Sequence, residues 1–407
     1  MAISTRQILD VLRANGISPE DSLESIDLPG NDQPQLPGIG EVEEGETIYT
    51  TSINEVMGNT DDELEILDID DPRVREWLGE LERIIGNRNF PNRARQPVVR
   101  SPEAPEPHCA WYCPIHYFGH GWGIYIRESC VLSLTKDIAT FVDWSTVKVP
   151  LPVVARQLLR SAFYVFFLHE QFHHKVESLG FRLLVSTGTD RYRPYKANVY
   201  RRNFMTADCL EESLANAESY RRLNEQRYAD RIDPGIRKGL RNYIKTSMSM
   251  QPPGYREGVN YLTSGTYKQG LYELQSQILD GRSPASTPKD HWSIAPNMIT
   301  SLSKITDEIY VVMPRGARPI FTPTAVDPGA TVSSRELEKA LKRYHGYETV
   351  PGGKGSHLKL KKAGADTVII PGERPVLSPG VVKHALSAIG GYPLSRLPDL
   401  LSGKLEA

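Results

Sequence analysis

The sequence has few cysteines and no long apolar run. Its first 90 residues contain no lysine. Four cysteines in 407 residues are too few for a disulfide framework, so we expect reduced thiols and a cytoplasmic protein. Arg156 and Arg160 interrupt the richest apolar segment, which therefore falls short of the ~18 residues that a membrane span needs. The N-terminus lacks the apolar stretch of a signal peptide. We expect no membrane partner.

Charge is balanced over the whole chain but unevenly distributed along it. The formal net charge of −2 by itself indicates neither a nucleic-acid nor a membrane partner. Residues 1–90 nevertheless contain 21 acidic residues against 6 arginines, whereas residues 333–407 contain 12 basic against 7 acidic residues. One hypothesis is that the acidic arm masks a basic surface at the other end of the chain.

A chain of this length exceeds the size of a single core, and its patterning predicts an α+β protein in four parts. Strands are expected within 110–128, and helices at 72–86, 152–179, 208–226, 233–246 and 266–280, the first opened by Pro72 and closed by Gly86. The predicted parts are an acidic, partly irregular region with short helices (1–106), a mainly helical domain with a small sheet (107–312), a proline-rich linker (313–332) and a C-terminal α-β-β-β-α domain (333–407).

The segment LHEQFHHK contains the first sign of chemistry. His169 and His173 are one helical turn apart, with Glu170 beside them, in the HExxH pattern. Zinc prefers nitrogen ligands and an open position for water, and an adjacent carboxylate can take a proton from that water. The preceding residues are apolar almost all round, so imidazoles on this buried helix need partners. The pattern predicts a zinc site with Glu170 as general base.

A third ligand is expected from TADCLEESLANAESY, about forty residues downstream, where Glu211 and Glu212 are both candidates. Asp208 and Glu211 have the spacing of a capping box, which would occupy Glu211 and favour Glu212 as the ligand. Asn216 follows one turn later and is expected to orient a ligand through a hydrogen bond.

The motifs HEQFHH and EESLAN resemble those of gluzincin-like metallopeptidases, with the ImmA/IrrE-type bacterial peptidases as a distant comparison. The resemblance covers about residues 107–310. It implies a zincin-like fold, zinc as cofactor, His169, His173 and Glu212 as ligands, and Glu170 as general base. The substrate it implies is a protein or peptide, with the chain itself as one candidate.

Two further groups of side chains near these motifs have alternative interpretations. Tyr195 and Tyr200 are candidates for stabilising an oxyanion or contacting substrate, although most such tyrosines simply pack. The cysteines and histidines between 108 and 120 suggest a second zinc site, but strand alternation makes their convergence awkward. A thiolate of Cys109 or Cys113 reaching the catalytic zinc is another alternative, and buried small side chains are the simplest one.

The C-terminal seventy-five residues resemble the HicA toxin family, small mRNA interferases with a double-stranded-RNA-binding-like fold. The matching features are the helix LEKALKRYHGYE, the motif Gly355-Ser356-His357 entering a strand, and the helix SPGVVKHAL. The resemblance implies His357 as the catalytic residue, able to act as general acid or base. Lysines flank it as RNA contacts require, and Lys354, Ser356 and Lys359 are the predicted RNA-binding residues. A second histidine common in that family is missing from IIPGERPV.

The sequence thus predicts a zinc metallopeptidase fused to an RNA-cleaving toxin, with roles in bacterial toxicity or phage defence and control by proteolysis, an antitoxin or another regulatory partner. The alternative is a metal-stabilised scaffold without catalysis, carrying an RNA- or partner-binding module.

Overall fold

The computed structural model describes residues 5–19, 42, 45–57, 71–86, 109–280, 309–321, 332–350, 357–371, 377, 379–390, 392 and 396–405. Within these residues the protein is mostly helical with two small sheets, which confirms the α+β class. The strands, in chain order, are Glu46–Thr51 (β1), Ala110–Cys113 (β2), Gly123–Arg127 (β3), Ile309–Pro314 (β4), Glu348–Thr349 (β5), His357–Lys361 (β6) and Val368–Pro371 (β7).

The α-helices are Thr5–Ala14 (α1), Ile53–Met57 (α2), Pro72–Gly86 (α3), Ile115–Phe118 (α4), Glu128–Thr140 (α5), Leu151–Thr187 (α6), Tyr192–Tyr195 (α7), Arg201–Asn203 (α8), Leu210–Arg222 (α9), Gln226–Ala229 (α10), Pro234–Met248 (α11), Ser264–Asp280 (α12), Ser334–His345 (α13), Pro379–Gly390 (α14) and Leu397–Ser402 (α15). A π-helical segment joins α7 to α8, and short 3-10 helices occupy Gly119–Gly121 and Arg256–Tyr261.

The described residues belong to two compact units. The first comprises residues 1–55, 111–127 and 306–407, and the second comprises residues 56–110 and 128–305. The domain boundaries expected from the sequence stay predictions.

The first unit contains both sheets. The larger has the strand order β1-β4-β3-β2, in which β1 runs antiparallel and β3 parallel to β4. Trp111, Tyr125 and Tyr310 form the aromatic core of this sheet. The C-terminal part of the unit follows the predicted α-β-β-β-α order, with α15 added after α14. Apolar residues of α13, β6, β7, α14 and α15 form one buried cluster there.

The second unit is built around α6, which packs against α5 and α9. Length and composition alone would let α6 span a membrane, but 61% of its most apolar window is buried inside the protein, as in a core helix. The predicted end of this helix at Gly180 is wrong, because α6 continues to Thr187 and Gly188 ends it in a left-handed conformation. Gly180 instead permits close packing, since a Cβ there would lie 2.6 Å from Cβ of Tyr192.

Candidate metal centre

Helix α6 presents the HExxH side chains in the middle of the second unit. His169 and His173 point their Nε2 atoms toward each other at 3.3 Å, one turn apart on the same helix face. His173 is buried and His169 half-buried, with side-chain exposures of 9% and 14%. The predicted convergence of the two imidazoles is therefore present in the geometry.

Helix α9 brings Glu212 to this pair. Its Oε2 lies 3.1 Å from Nε2 of His169 and 3.6 Å from Nε2 of His173. Among the described residues, His169, His173 and Glu212 form a group of side chains that could together hold a metal ion. Their donor atoms all lie within 4.8 Å of one another.

Hydrogen bonds behind the imidazoles determine which nitrogen carries the proton. Asn216 donates through Nδ2 to Gln251 and to the carbonyl oxygen of Tyr255, so its Oδ1 faces Nδ1 of His169 at 2.9 Å. Glu211 faces Nδ1 of His173 at 2.6 Å through a carboxylate oxygen. Both Nδ1 atoms are therefore placed to donate, so each imidazole, when neutral, carries its lone pair on Nε2.

With neutral imidazoles, two nitrogen lone pairs and one carboxylate oxygen converge on the same point. Ligands each ~2.05 Å from a zinc ion at tetrahedral angles would be separated by ~3.3 Å. The observed separations are 3.1, 3.3 and 3.6 Å. The donor set and its spacing therefore fit a zinc ion with three protein ligands.

The predicted capping box is wrong, although Glu212 is the residue nearest both Nε2 atoms. Helix α9 has Cys209 as its N-cap with no side-chain cap bond, so Glu211 is not held by Asp208. Glu211 instead accepts hydrogen bonds from His173, Tyr195 and Lys196. Glu211 is therefore held away from the two Nε2 atoms by residues outside α9, and not by a capping bond within that helix.

The two candidate tyrosines both lie at the glutamates. The Tyr195 hydroxyl donates to Oε2 of Glu211 at 2.7 Å, and the Tyr200 hydroxyl donates to Oε1 of Glu212. Both side chains are buried. Their role with an oxyanion or a substrate stays a prediction, whereas their contacts here are with the carboxylates.

Sequence reasoning missed two neighbours of the site. Lys196 is buried, with Nζ 3.3 Å from Glu211 and 3.2 Å from the ring centroid of Tyr200. Tyr255 stacks on His169 with ring centroids 5.8 Å apart and planes 9° from parallel. Lysine and tyrosine carry no motif of their own in KANVY or PPGYR, so only the tertiary fold identifies them.

Burial and charge shift the titration of the whole cluster. Burial opposes the charged form of Glu212, but His173 and His169 hold its pKa well below the usual value. Burial also opposes the charged form of His173, but Glu212 and Glu211 raise its pKa to about 10. The pKa of Glu170 is raised, chiefly because burial disfavours its charged form. A carboxyl group with a raised pKa is suited to accept and release a proton.

The cysteine-rich segment does not form a second metal centre in the described residues. Cys109 and Cys130 form a disulfide, with Cα atoms 5.4 Å apart, so the expectation of four reduced cysteines is wrong and Cys109 offers no thiolate. Cys113 is buried in the aromatic core of the larger sheet. His108 and the side chain of His120 lie outside the described residues. The simplest interpretation of Cys113, a small buried side chain, agrees with this placement.

In the C-terminal part, Lys359 is half-buried in the middle of β6. Leu360 belongs to the buried cluster, so alternation along the strand places Lys359 and Lys361 on the opposite face. Lys354 and Ser356 lie outside the described residues, as does the side chain of His357, whose backbone begins β6. The structure thus describes one of the three predicted RNA-binding side chains.

Comparison with known families bears on this same part of the chain. Residues 334–390 match the family model described as the HicA toxin of bacterial toxin–antitoxin systems. The predicted C-terminal resemblance is confirmed by this match. Comparison with curated proteins and with solved structures found no match.

Proposed function

We propose that this chain, which carries a HicA toxin domain at residues 334–390, is a zinc-dependent peptidase joined to an RNA-cleaving toxin. The observation that carries the peptidase proposal is the convergence of two imidazole nitrogens and one carboxylate oxygen, separated by 3.1 to 3.6 Å. A metal-free protein would have to protonate one of these atoms to relieve their repulsion.

The charges around the cluster favour a divalent cation. Glu170, Glu211 and Glu212 are buried carboxyl groups, and Lys196 is the buried cation in contact with one of them. Burying charge without a partner is costly. A divalent ion beside these four groups brings the sum of their formal charges to zero, so the surroundings suit zinc as well as the donor spacing does.

The residues supply the parts of a peptide-hydrolysing site. His169, His173 and Glu212 would hold the ion, whose chemistry when bound is that of a Lewis acid toward a carbonyl oxygen. Glu170 follows His169 on the same helix and interacts electrostatically with all three ligands. It would take a proton from the attacking water and pass it to the leaving amine. Asn216 and Glu211 keep the two imidazoles in the tautomer that binds metal.

The test of the peptidase is cleavage by the purified full chain, using the chain itself and an unstructured protein such as casein as substrates. We expect zinc to support cleavage, with the chain's own cut within the predicted linker 313–332, and a chelator to abolish it. Glu170→Gln is the matched control, because it removes the base and leaves the three ligands. Metal bound without any cleavage would instead favour the scaffold alternative.

The toxin proposal rests on the family match and on the lysines of β6. The match supports an RNA substrate and an antitoxin partner. His357 is the residue to which the family's catalytic role carries over, and Lys359 lies two positions further along the strand. An imidazole there would act on the ribose 2′-hydroxyl or the leaving oxygen.

Growth arrest on expression tests this second activity. We expect the C-terminal domain within the full chain to arrest growth and degrade RNA after the peptidase has acted, and His357→Ala to abolish both effects. Lys342→Ala, on the exposed surface of α13, is the control and should retain them. A His357→Ala chain as toxic as the parent would eliminate the nuclease proposal.

A further inference from the structure

The short helix after α6 changes its winding in the middle. Its first turn, Tyr192–Tyr195, is α-helical, the next five residues, Lys196–Tyr200, are π-helical, and Arg201–Asn203 is α-helical again. A π-turn accommodates one extra residue in the helix, is rare, and occurs frequently at functional sites. Residues of this turn contact both glutamates at the start of α9.

The wider turn changes which side chains share a helix face. In a regular α-helix, positions five apart point ~140° away from each other. Hydrogen bonds from i to i+5 widen the turn and bring such positions closer to the same face. Tyr195 and Tyr200 are five apart, and their hydroxyls reach the consecutive residues Glu211 and Glu212. Regular winding would direct one of these tyrosines away from the glutamates.

The four carboxylate oxygens of the two glutamates have different partners. In Glu212, Oε1 accepts from Tyr200 while Oε2 lies 3.1 Å from Nε2 of His169. In Glu211, Oε2 accepts from Tyr195 at 2.7 Å, and Oε1 accepts from Nδ1 of His173 at 2.6 Å. One oxygen of Glu212 therefore faces the two Nε2 atoms, whereas the partners of Glu211 are Nδ1 of His173, Tyr195 and Lys196.

Lys196 completes the arrangement. Its ammonium donates to Oε1 of Glu211 at 3.3 Å and lies over the ring of Tyr200 at 3.2 Å from the centroid. The same π-turn thus supplies a positive charge to Glu211 and places a hydroxyl on Glu212. Two adjacent and chemically identical side chains are in this way given different surroundings.

We propose that the π-turn at Lys196–Tyr200 is a positioning device that assigns different roles to the two glutamates. Tyr200 holds Glu212 as a ligand through one oxygen, which leaves a coordination position for water and substrate. Tyr195 and Lys196 hold Glu211 away from the ion as the carboxylate that orients His173. This inference rests on the proposed metal centre, because the roles are defined relative to the ion.

The experiment uses the full chain loaded with cobalt(II), whose visible absorption weakens when coordination rises from four to five ligands. Zinc affinity is measured separately by competition with a chromogenic chelator. The variants are Tyr200→Phe, Tyr195→Phe, deletion of Asn198 and the control Asn198→Ala. Asn198 is exposed within the π-turn, so its deletion restores a regular α-helix while its substitution preserves the winding. Circular dichroism and the thermal midpoint check folding.

Each variant has its own expected result. Tyr200→Phe removes the Tyr200 hydrogen bond from the second oxygen of Glu212 and should weaken the cobalt absorption. Tyr195→Phe should leave the spectrum unchanged and lower zinc affinity about tenfold, as loss of an outer hydrogen bond to a ligand-orienting group does. Deletion of Asn198 should produce both effects and Asn198→Ala neither.

The outcomes separate this inference from the metal centre on which it rests. If the unaltered chain binds neither cobalt nor zinc, the metal centre fails and the inference fails with it. If the unaltered chain binds metal and both tyrosine variants match its spectrum and affinity, the metal centre stands and the positioning role is overturned. If the variant that lacks Asn198 does not fold, the two tyrosine variants alone test the positioning role.

Discussion

Asn216 accepts a hydrogen bond from Nδ1 of His169 at 2.9 Å, from a position one turn after Glu212 on the same helix. A single helix thereby contributes both a candidate ligand and the group that orients another one. Asn216 is itself held, because its amide nitrogen donates to Gln251 at 2.5 Å and to the carbonyl oxygen of Tyr255 at 2.9 Å. The orientation of the amide oxygen toward His169 is therefore fixed by two bonds on its other side.

Replacing Asn216 by Ala leaves the His169 ring free to rotate and to change tautomer, so we expect zinc affinity to fall by about 10- to 100-fold. Competition with a chromogenic chelator measures the change. Asn224→Ala, at an exposed position beyond the end of α9, is the control and should bind zinc as the unaltered chain does. Equal affinity in both variants would argue against an orienting role for Asn216.

A second prediction compares the adjacent glutamates. Glu212→Gln removes a charged donor that lies 3.1 Å from His169, so we expect zinc affinity to fall by more than about 100-fold. Glu211→Gln weakens only the bond that orients His173, so its loss should stay within about 10- to 100-fold. Titration of both variants under one set of conditions gives the ratio. A larger loss in Glu211→Gln would reverse the assignment of ligand and orienting residue.

The parts of the site that sequence could predict are those set by local periodicity. His169 and His173 share a face because they are one turn apart on a helix whose apolar pattern is unambiguous. The choice of Glu212 depended on a capping box that does not form, and the contacts that distinguish the two glutamates come from Tyr195 and Tyr200. A π-turn has no sequence signature in KANVY, so the alignment of these tyrosines could not be anticipated.

In the fold, too, features set by local sequence could be predicted, and features set by tertiary contacts could not. The bounds of α3 at Pro72 and Gly86 match the terminal signals that predicted them, because proline suits a first turn and glycine an end. Gly180 is also a glycine at the predicted end of a helix, yet it lies inside α6. The close approach of Tyr192 there requires a residue without a side chain. The Cys109–Cys130 disulfide depends on tertiary proximity across 21 residues, and spacing alone gave no sign of it.

A third prediction tests the role of Gly180. An added Cβ would lie 2.6 Å from Cβ of Tyr192 and 3.3 Å from its Cα, and neither atom can move without shifting the backbone. We expect Gly180→Ala to lower the free energy of unfolding by about 1 to 3 kcal/mol through overpacking. Gly79→Ala in α3 is the matched control, because a Cβ there meets nothing within 4 Å. The control should be neutral or stabilising by up to about 1 kcal/mol, since alanine is the better helix former. Denaturant unfolding of the two variants measures the difference, and equal stability would show that α6 adjusts freely at Gly180.

The last prediction concerns the start of the toxin domain, where Ser333 and Glu336 form a capping box on α13. The Ser333 hydroxyl accepts from the Glu336 N–H at 3.2 Å, and the Ser333 N–H donates to Oε2 of Glu336 at 2.8 Å. The Ser333 N–H and the Ser333 hydroxyl, which both donate to Oε2 of Glu336, hold the pKa of Glu336 below its ordinary value of 4.5. A carboxyl group whose pKa is lower in the folded chain stabilises it above the unfolded value, and this contribution is lost as the pH falls through the folded value.

Glutamine keeps the capping geometry without the titrating proton, so Glu336→Gln should make the stability of α13 less dependent on pH below about 4.5. Ser333→Ala should cost about 1 kcal/mol at neutral pH, because it leaves a helix N–H without its acceptor. Hydrogen exchange of the α13 amides in the full chain reports both changes without requiring the domain to fold alone. Glu338→Gln is the control, since Glu338 pairs with Lys342 on the exposed face of the helix. If the control flattens the acid dependence as much as Glu336→Gln does, general surface charge rather than the capping box governs the acid stability of this helix.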